Sequence, residues 1–312
     1  MEESHVISSW SLTDEGPRKV HIDRINLSSP CWVHCQRDHP ELKAWLESQA
    51  IPEPLIESLL MDDTRPRFEQ YGDGTVLIIL RGINLNAGAE PDDMLSLRLL
   101  WFKGSLISTR KIPSKTVSMV IQQLEQARGP DTIGELLVAL IQGVNSYITN
   151  YLAPIEEQLN SMDNVDSSNL SELSQIKSRL LRIRRYLKPQ KYVLEDLLSA
   201  ELKELEHLQF TIKNSHDTVL RINESIDFFI EHIDLSFNAF HQEQAEKMNK
   251  NSYFLSIVAG IFLPAGFFTG LLGVNIAGMP GTDNPYAFLI FCVSLLAIVL
   301  LEVILLKKLK FT

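Results

Sequence analysis

Two apolar runs near the C-terminal end constrain this chain more than any other feature. Tyr253–Leu272 reads YFLSIVAGIFLPAGFFTGLL, 20 residues without a formal charge. At 1.5 Å per residue a helix of that length spans roughly 30 Å, the thickness of a bilayer core. Pro264 within it is awkward in a soluble helix but tolerated in a membrane one. Ala287–Leu306 reads AFLIFCVSLLAIVLLEVILL, and its single charge, Glu302, stands near the end, close to Lys307, where a long side chain can reach the interface. The flanks fix an orientation. Lys247 and Lys250 precede the first run, Lys307, Lys308 and Lys310 follow the second, and the intervening 273–286 holds no Lys or Arg. Basic residues stay on the cytosolic side. The expectation is therefore a bacterial-type inner-membrane (plasma-membrane) protein with two C-terminal transmembrane helices, both termini cytosolic, and a short external loop at 273–286. The competing reading, a helical hairpin buried in a soluble protein, leaves the matched flanks unexplained.

The first thirty residues carry no basic-then-apolar leader pattern, so the N-terminal part is expected in the cytosol. A net charge of −10 argues against nucleic acid as a partner. Cys31, Cys35 and Cys292 are too few for a disulfide framework. No Gly-rich phosphate loop, Gly-x-Ser-x-Gly or His-Glu-x-x-His occurs, which makes an enzyme the weakest functional class. No resident cofactor is expected.

With 312 residues the chain is too long for one ordinary core. Residues 1–130 read as an α+β cytosolic domain, 131–252 as a helical region and stalk, and 253–312 as the transmembrane domain. β-rich runs lie at Val20–Leu27, Cys31–Gln36, Thr75–Ile83, Leu95–Phe102 and Leu106–Thr109. Gly72-Asp73-Gly74 marks a turn after Arg67–Tyr71. Helical patterns cover Pro40–Gln49 and Pro52–Met61, a long helix opens at Pro130-Asp131, and another, containing Leu180–Tyr186, is expected to stop before Pro189. From about Glu201 no proline occurs until Pro264. A helix over that stretch to Leu272 would be roughly 105 Å long and would need other helices or other subunits to cover its apolar face.

Two stripes run along this stalk. Glu224, Asp227, Glu231 and Asp234 recur at steps of three, four and three and make one acidic face, beside an apolar face of Ile222, Ile226, Phe229, Ile233 and Phe240. Asn249, Ser252, Ser256, Ala259, Leu263, Gly266, Gly270 and Gly273 keep the same alternation into the first apolar run. Eighteen residues make five turns, and Glu231 and Asp234 stand eighteen residues before Asn249 and Ser252. On a straight helix both stripes therefore face one way. Copies around an axis would form an acid-lined funnel, with His241 near the acidic face, leading into a narrow polar pore. The blander readings are a solvated acidic face and a Gly-x-x-x-Gly helix-packing seam.

At the end of the first run stands Gly273-Val274-Asn275, followed by IAGMPGTDNPYAF. With a terminal pair of spans and a long preceding helix, this Gly-x-Asn resembles the CorA superfamily of divalent cation transporters. Members that resemble magnesium channels carry Gly-Met-Asn, where this chain has Val274. The zinc transporter branch of the superfamily is the closer likeness, through Phe262-Leu263-Pro264, Thr269-Gly270-Leu271, Gly273-Val274-Asn275, the G-M-P-G of Gly278–Gly281 and Pro30-Cys31-Trp32-Val33-His34. Magnesium-type members follow Met-Pro with Glu-Leu, whereas here Met279-Pro280 is followed by Gly281, and Asp283 is the loop's one acid. The resemblance implies a CorA-like homopentameric funnel. The first span would line the pore, the second would pack outside, and Gly273, Val274 and Asn275 would form the external entrance to a hydrated cation, with Asp283 nearby. Divalent metal ions, the lipid bilayer and further copies of the chain are the implied partners, and Zn²⁺ the implied cargo.

Zinc favours Cys and His. Cys31, His34, Cys35 and His39 cluster in sequence, but on a strand Cys31 and Cys35 share a face while His34 points away, so they are weak candidates and no closed site is expected. The stalk histidines His207, His216, His232 and His241 contain no pair four apart. The basic cluster Lys177, Arg179, Arg182, Arg184, Arg185 and Lys188 reads as a solvated or salt-bridging face, or one lying against a neighbour's acidic stalk. A proton relay would call for titratable groups in the membrane, and Glu302 near a helix end is the one acid within the spans. The alternatives to a zinc transporter are a CorA-type magnesium, cobalt or nickel channel and, in another class, a membrane-anchored cytosolic sensor or scaffold.

Overall fold

The computed structural model describes residues 4–13, 16–161, 169–200, 202–273, 281 and 284–308. The chain divides into two compact units, Met1–Phe237 and Asn238–Thr312.

The first unit is built on a seven-stranded sheet of β1 (Val6–Thr13), β2 (Gly16–Lys19), β3 (Cys31–Gln36), β4 (Arg67–Gln70), β5 (Val76–Gly82), β6 (Leu95–Phe102) and β7 (Ser105–Arg110). The spatial order is β2-β1-β3-β7-β6-β5-β4, with β3 and β7 parallel and every other pairing antiparallel. Alternate residues of the central strands feed two cores. Cys31, Val33, Cys35, Leu77, Leu100 and Ile107 face α1 (Leu42–Ser48) and α2 (Glu53–Leu60) through Leu42, Leu46, Leu55, Ile56 and Leu59. Trp32, Val76, Ile78, Leu80, Leu99, Trp101 and Leu106 face the larger core. That core is closed by α3 (Lys115–Glu125), α4 (Ile133–Ser161), α5 (Leu170–Ser199) and the first part of α6 (Gln209–Leu272). The helical region thus shares its core with the sheet.

Strands β3 and β6 fall at the β-rich runs Cys31–Gln36 and Leu95–Phe102. Three expectations need correction. Val20–Leu27 is not a strand: Ile22–Arg24 is a 3-10 turn, and the pairing strand is the earlier β2, whose Pro17 is tolerated because β2 is a sheet edge. Strand β1 gave no apolar alternation because Ser8 and Ser9 are buried, with Ser9 Oγ donating to Val20 O (2.7 Å) and Trp10 Nε1 donating to Ser8 Oγ (2.9 Å). Helix α5 does not stop before Pro189 but runs through it to Ser199. An interior proline costs about 3 kcal/mol, whereas Leu173, Ile176, Leu180, Ile183, Leu187, Val193, Leu194 and Leu197 are all buried along α5, each worth about 1.5–3 kcal/mol. Packing wins. Just past the proline, buried Gln190 accepts the N–H of Arg81 (2.8 Å) on β5, beyond the last residue paired with β4.

Lys203–Leu208 is a 3-10 segment, so the long helix starts at Gln209 rather than near Glu201. In the first unit its apolar face, Ile222, Ile226, Phe229 and Ile233, is buried as the periodicity predicts. Asn145 Nδ2 on α4 donates to Ser215 O (3.0 Å), and Asn223 Nδ2 on α6 donates to Leu187 O (3.2 Å), tying the three helices together.

The second unit holds the remainder of α6 and α7 (Ala287–Lys308). Both helices are long and apolar enough to cross a membrane, and no residue of either apolar stretch is buried. Neither stretch is packed within this chain as a hairpin in a soluble core would be. Phe262, Leu263, Phe267, Leu296, Leu301 and Ile304 are each more than half exposed, an apolar surface that water does not tolerate and lipid or further copies of the chain would cover.

Candidate ion pathway

The acidic stripe of the first unit is half neutralised from within the chain. Arg184 Nη1 on α5 donates to Asp227 Oδ1 (3.0 Å), Lys188 Nζ lies 3.5 Å from Asp227 Oδ2, and Lys177 pairs with Asp234. Glu224 and Glu231 are exposed and have no ion-pair partner among the described residues. The stripe therefore alternates free and paired carboxylates. The pairs are partly exposed, so each contributes no more than about 1 kcal/mol to stability; they also offset two of the four negative charges of the stripe. Arg179 and Arg182 turn to the β5–β6 loop, where Arg179 Nη2 donates to Glu90 (2.9 Å) and Arg182 pairs with buried Asp92, while Arg185 lies 5.7 Å from the centre of the Tyr186 ring. Five of the six cations thus pair with acids of their own chain.

In the second unit, His241, Asn249, Ser252, Ser256, Ala259, Leu263, Gly266 and Gly270 are all exposed. Ser256 Oγ donates to Ser252 O (2.8 Å) and Thr269 Oγ1 bonds Ala265 O and Gly266 O (3.0 Å each), which turns these hydroxyls back onto the helix. A Cβ added at Gly260, Gly266 or Gly270 would meet nothing within 4 Å. Among the described residues, no helix of this chain packs on the Gly-x-x-x-Gly face.

Gly273 ends α6 for a steric reason. Its N–H donates to Thr269 O (2.9 Å), and a Cβ there would come within 2.9 Å of the same carbonyl. The first residue of the Gly-x-Asn motif is therefore required by the helix end. Val274, Asn275 and Asp283 lie outside the described residues. Asn284 opens α7 by accepting the N–H of Tyr286 on Oδ1 (2.9 Å) and that of Ala287 on its carbonyl (3.0 Å). The two helix ends enclose a cavity of about 600 Å³ lined by Thr269, Leu272, Gly273, Asn284, Phe291 and Ser294, among others.

Cys31, His34 and Cys35 do not converge. Cys31 and Cys35 sit in the core beneath α1 and α2. His34 is on the other face with Trp32, where its Nδ1 and the Trp32 Nε1–H share Ser108 Oγ (2.8 Å each). Burial raises both thiols, which opposes a thiolate ligand. Burial, then the nearby Arg110, pushes the His34 imidazole down to about 3. These are packed core residues on opposite sides of a sheet. Sequence reasoning left open where the α5 cations go, because only the folded packing of α5 against α6 brings residues some fifty apart together.

An α/β unit and a long, acid-striped helix that runs on into the first of two uncovered apolar stretches are the build of a membrane transport protein. The chain belongs to the family described as CorA-like Mg²⁺ transporter protein, which it matches over residues 28–308. Among its relatives, the zinc transport protein ZntB of Vibrio parahaemolyticus is 42% identical, over 98% of this chain and 97% of that one. The divalent cation transporter CmaX of Pseudomonas aeruginosa is 34% identical, over 84% of this chain and 81% of that one. The solved structure of full-length CmaX superposes with a TM-score of 0.83 at 29% identity, covering 99% of this chain and 100% of that one.

Proposed function

We propose that this chain is a zinc transporter of the bacterial inner membrane, working as a homopentamer with both termini in the cytosol. The observation that carries the reading is the 42% identity to a zinc transport protein along nearly the whole of both chains. In this reading α6 lines the pore, α7 packs outside it, and the Gly273–Asn275 motif forms the external entrance. There a ring of Asn275 side-chain oxygens holds the ion with its water, since stripping water from a small divalent cation is costly. Glu224 and Glu231 supply the negative field on the cytosolic side, and the small residues at 266 and 270 leave room along the axis. Three features support it: the uncovered apolar helices, the open face at Gly266 and Gly270, and the lysines at the cytosolic ends of both spans.

The test is zinc entry into proteoliposomes containing the purified chain, followed with an enclosed zinc dye, beside Asn275→Ala. The reading expects a flux that the substitution lowers at least about tenfold, the loss of a little over 1 kcal/mol of cation binding at the entrance. Flux of magnesium or cobalt with none of zinc would move the chain to the channel reading. No divalent flux would favour an anchored sensor.

A further inference from the structure

Outside the ion pathway, one cluster of metal-ligating side chains stands apart. His5, His39 and Glu41 each place a ligand atom within 4.8 Å of the other two. The backbone fixes all three. The N–H of Gln36, at the end of β3, donates to His5 O (2.8 Å), and Val6 pairs with Cys35 in the sheet. His39 follows in the turn after β3, its N–H donating to Gln36 O (3.3 Å), and Glu41 is the N-cap residue of α1. The rings of His5 and Trp45 lie 5.6 Å apart, so the apolar wall of α1 backs the group.

Two ligand atoms of the group face one another with nothing bridging them. His5 is buried, and its Nε2 has no hydrogen-bond partner among the described residues. Its Nδ1 lies 3.6 Å from Glu41 Oε2, beyond a hydrogen bond. That separation is close to the roughly 3.3 Å between two ligands of a tetrahedral ion with bonds near 2.0–2.1 Å. His39 Nδ1 meets only the backbone N–H of Glu41, at 3.3 Å. Beside the cluster a cavity of about 540 Å³, lined by Ser4, Gln36, Asp38, His39 and Arg110 among others, gives access from solvent.

We infer that His5, His39 and Glu41 form a binding site for a transition-metal dication of the zinc, cobalt or nickel class in the sheet-containing unit, separate from the translocation path. Two imidazoles and one carboxylate are a donor set for such ions, whereas magnesium and calcium take oxygen ligands. Three protein ligands leave a fourth position open to water. The site does not depend on the transport reading, since it needs neither the spans nor further copies of the chain.

The test uses the full chain in detergent, stripped with a chelator and titrated with Co²⁺ alone, beside His39→Gln and Glu41→Gln. Neither of these side chains is in the packed core, and melting curves check that both variants fold. The expected result is tetrahedral cobalt absorption in the visible, displaced by zinc and untouched by excess magnesium. Each variant should lose that spectrum, together with one bound zinc per chain in equilibrium dialysis. An unchanged spectrum and stoichiometry in both variants, or no tetrahedral cobalt in the parent chain, would overturn the site. Zinc flux is measured separately, so loss of transport and loss of this site are distinguishable.

Discussion

His34 is fully buried with its imidazole pushed down to about 3, while the same side chain in the unfolded protein titrates near 6.5. Between those values the unfolded chain binds a proton that the folded chain refuses. His34 therefore imposes no penalty above about pH 6.5 and costs stability progressively as pH falls toward 3, with a slope of up to about 1.4 kcal/mol per pH unit. His34→Gln should keep a polar contact to Ser108 and remove the titration. Denaturant melts between pH 6 and 4 should then show a shallower loss than in the parent, and equal slopes would contradict the assignment. Arg98 is the second buried group with a measurable role. Its guanidinium donates to Leu59 O (2.8 Å), at the C-terminal end of α2, and to Asp62 O (3.2 Å), while Nε meets Ser96 Oγ (3.1 Å). Burial, reinforced by Arg37 and Arg81, lowers its pKa to about 9, so holding the charge there is costly, yet removing it strands the carbonyls. Arg98→Met is expected to cost about 2–4 kcal/mol in urea unfolding.

At the scale of elements, the clearest test is Pro189. Helix α5 continues through it, so alanine would restore one backbone hydrogen bond to Arg185 O, offset in part by a more flexible unfolded chain. Pro189→Ala should stabilise the protein by about 1–2 kcal/mol in denaturant melts; a loss would mean that the proline shapes the helix. The same helix shows what the sequence made legible. Strands β3 and β6 were readable at their boundaries because their residues are strand formers bounded by turn signals. Strand β1 was not, since its inward Ser8 and Ser9 satisfy their hydroxyls locally and break the apolar pattern. The acidic stripe was visible as a periodicity and the basic residues of α5 as a cluster, but the pairing of Lys177 with Asp234 and of Arg184 with Asp227 exists only through tertiary packing. The likeness around Gly273 pointed to the helix end, and the structure adds the steric reason for glycine there. His5 and Glu41 carried no sequence signal, because His5 stands more than thirty residues from its two neighbours.

At the scale of the whole molecule, the composition of the last sixty residues decides how the protein must be handled. Two helices with no buried residue in their apolar stretches should keep the chain with the membrane fraction through an alkaline carbonate wash and release it in detergent; recovery in the wash would refute the spans. The α/β unit, by contrast, has its own two cores and should unfold cooperatively in detergent. The central claim is that this assembly moves zinc. The most direct measurement is uptake of radioactive zinc into proteoliposomes of the purified chain, competed with excess unlabelled zinc or magnesium. The account predicts uptake well above empty liposomes, abolished by unlabelled zinc and little affected by magnesium. Uptake no greater than in empty liposomes, or uptake that magnesium suppresses as fully as zinc does, would contradict it.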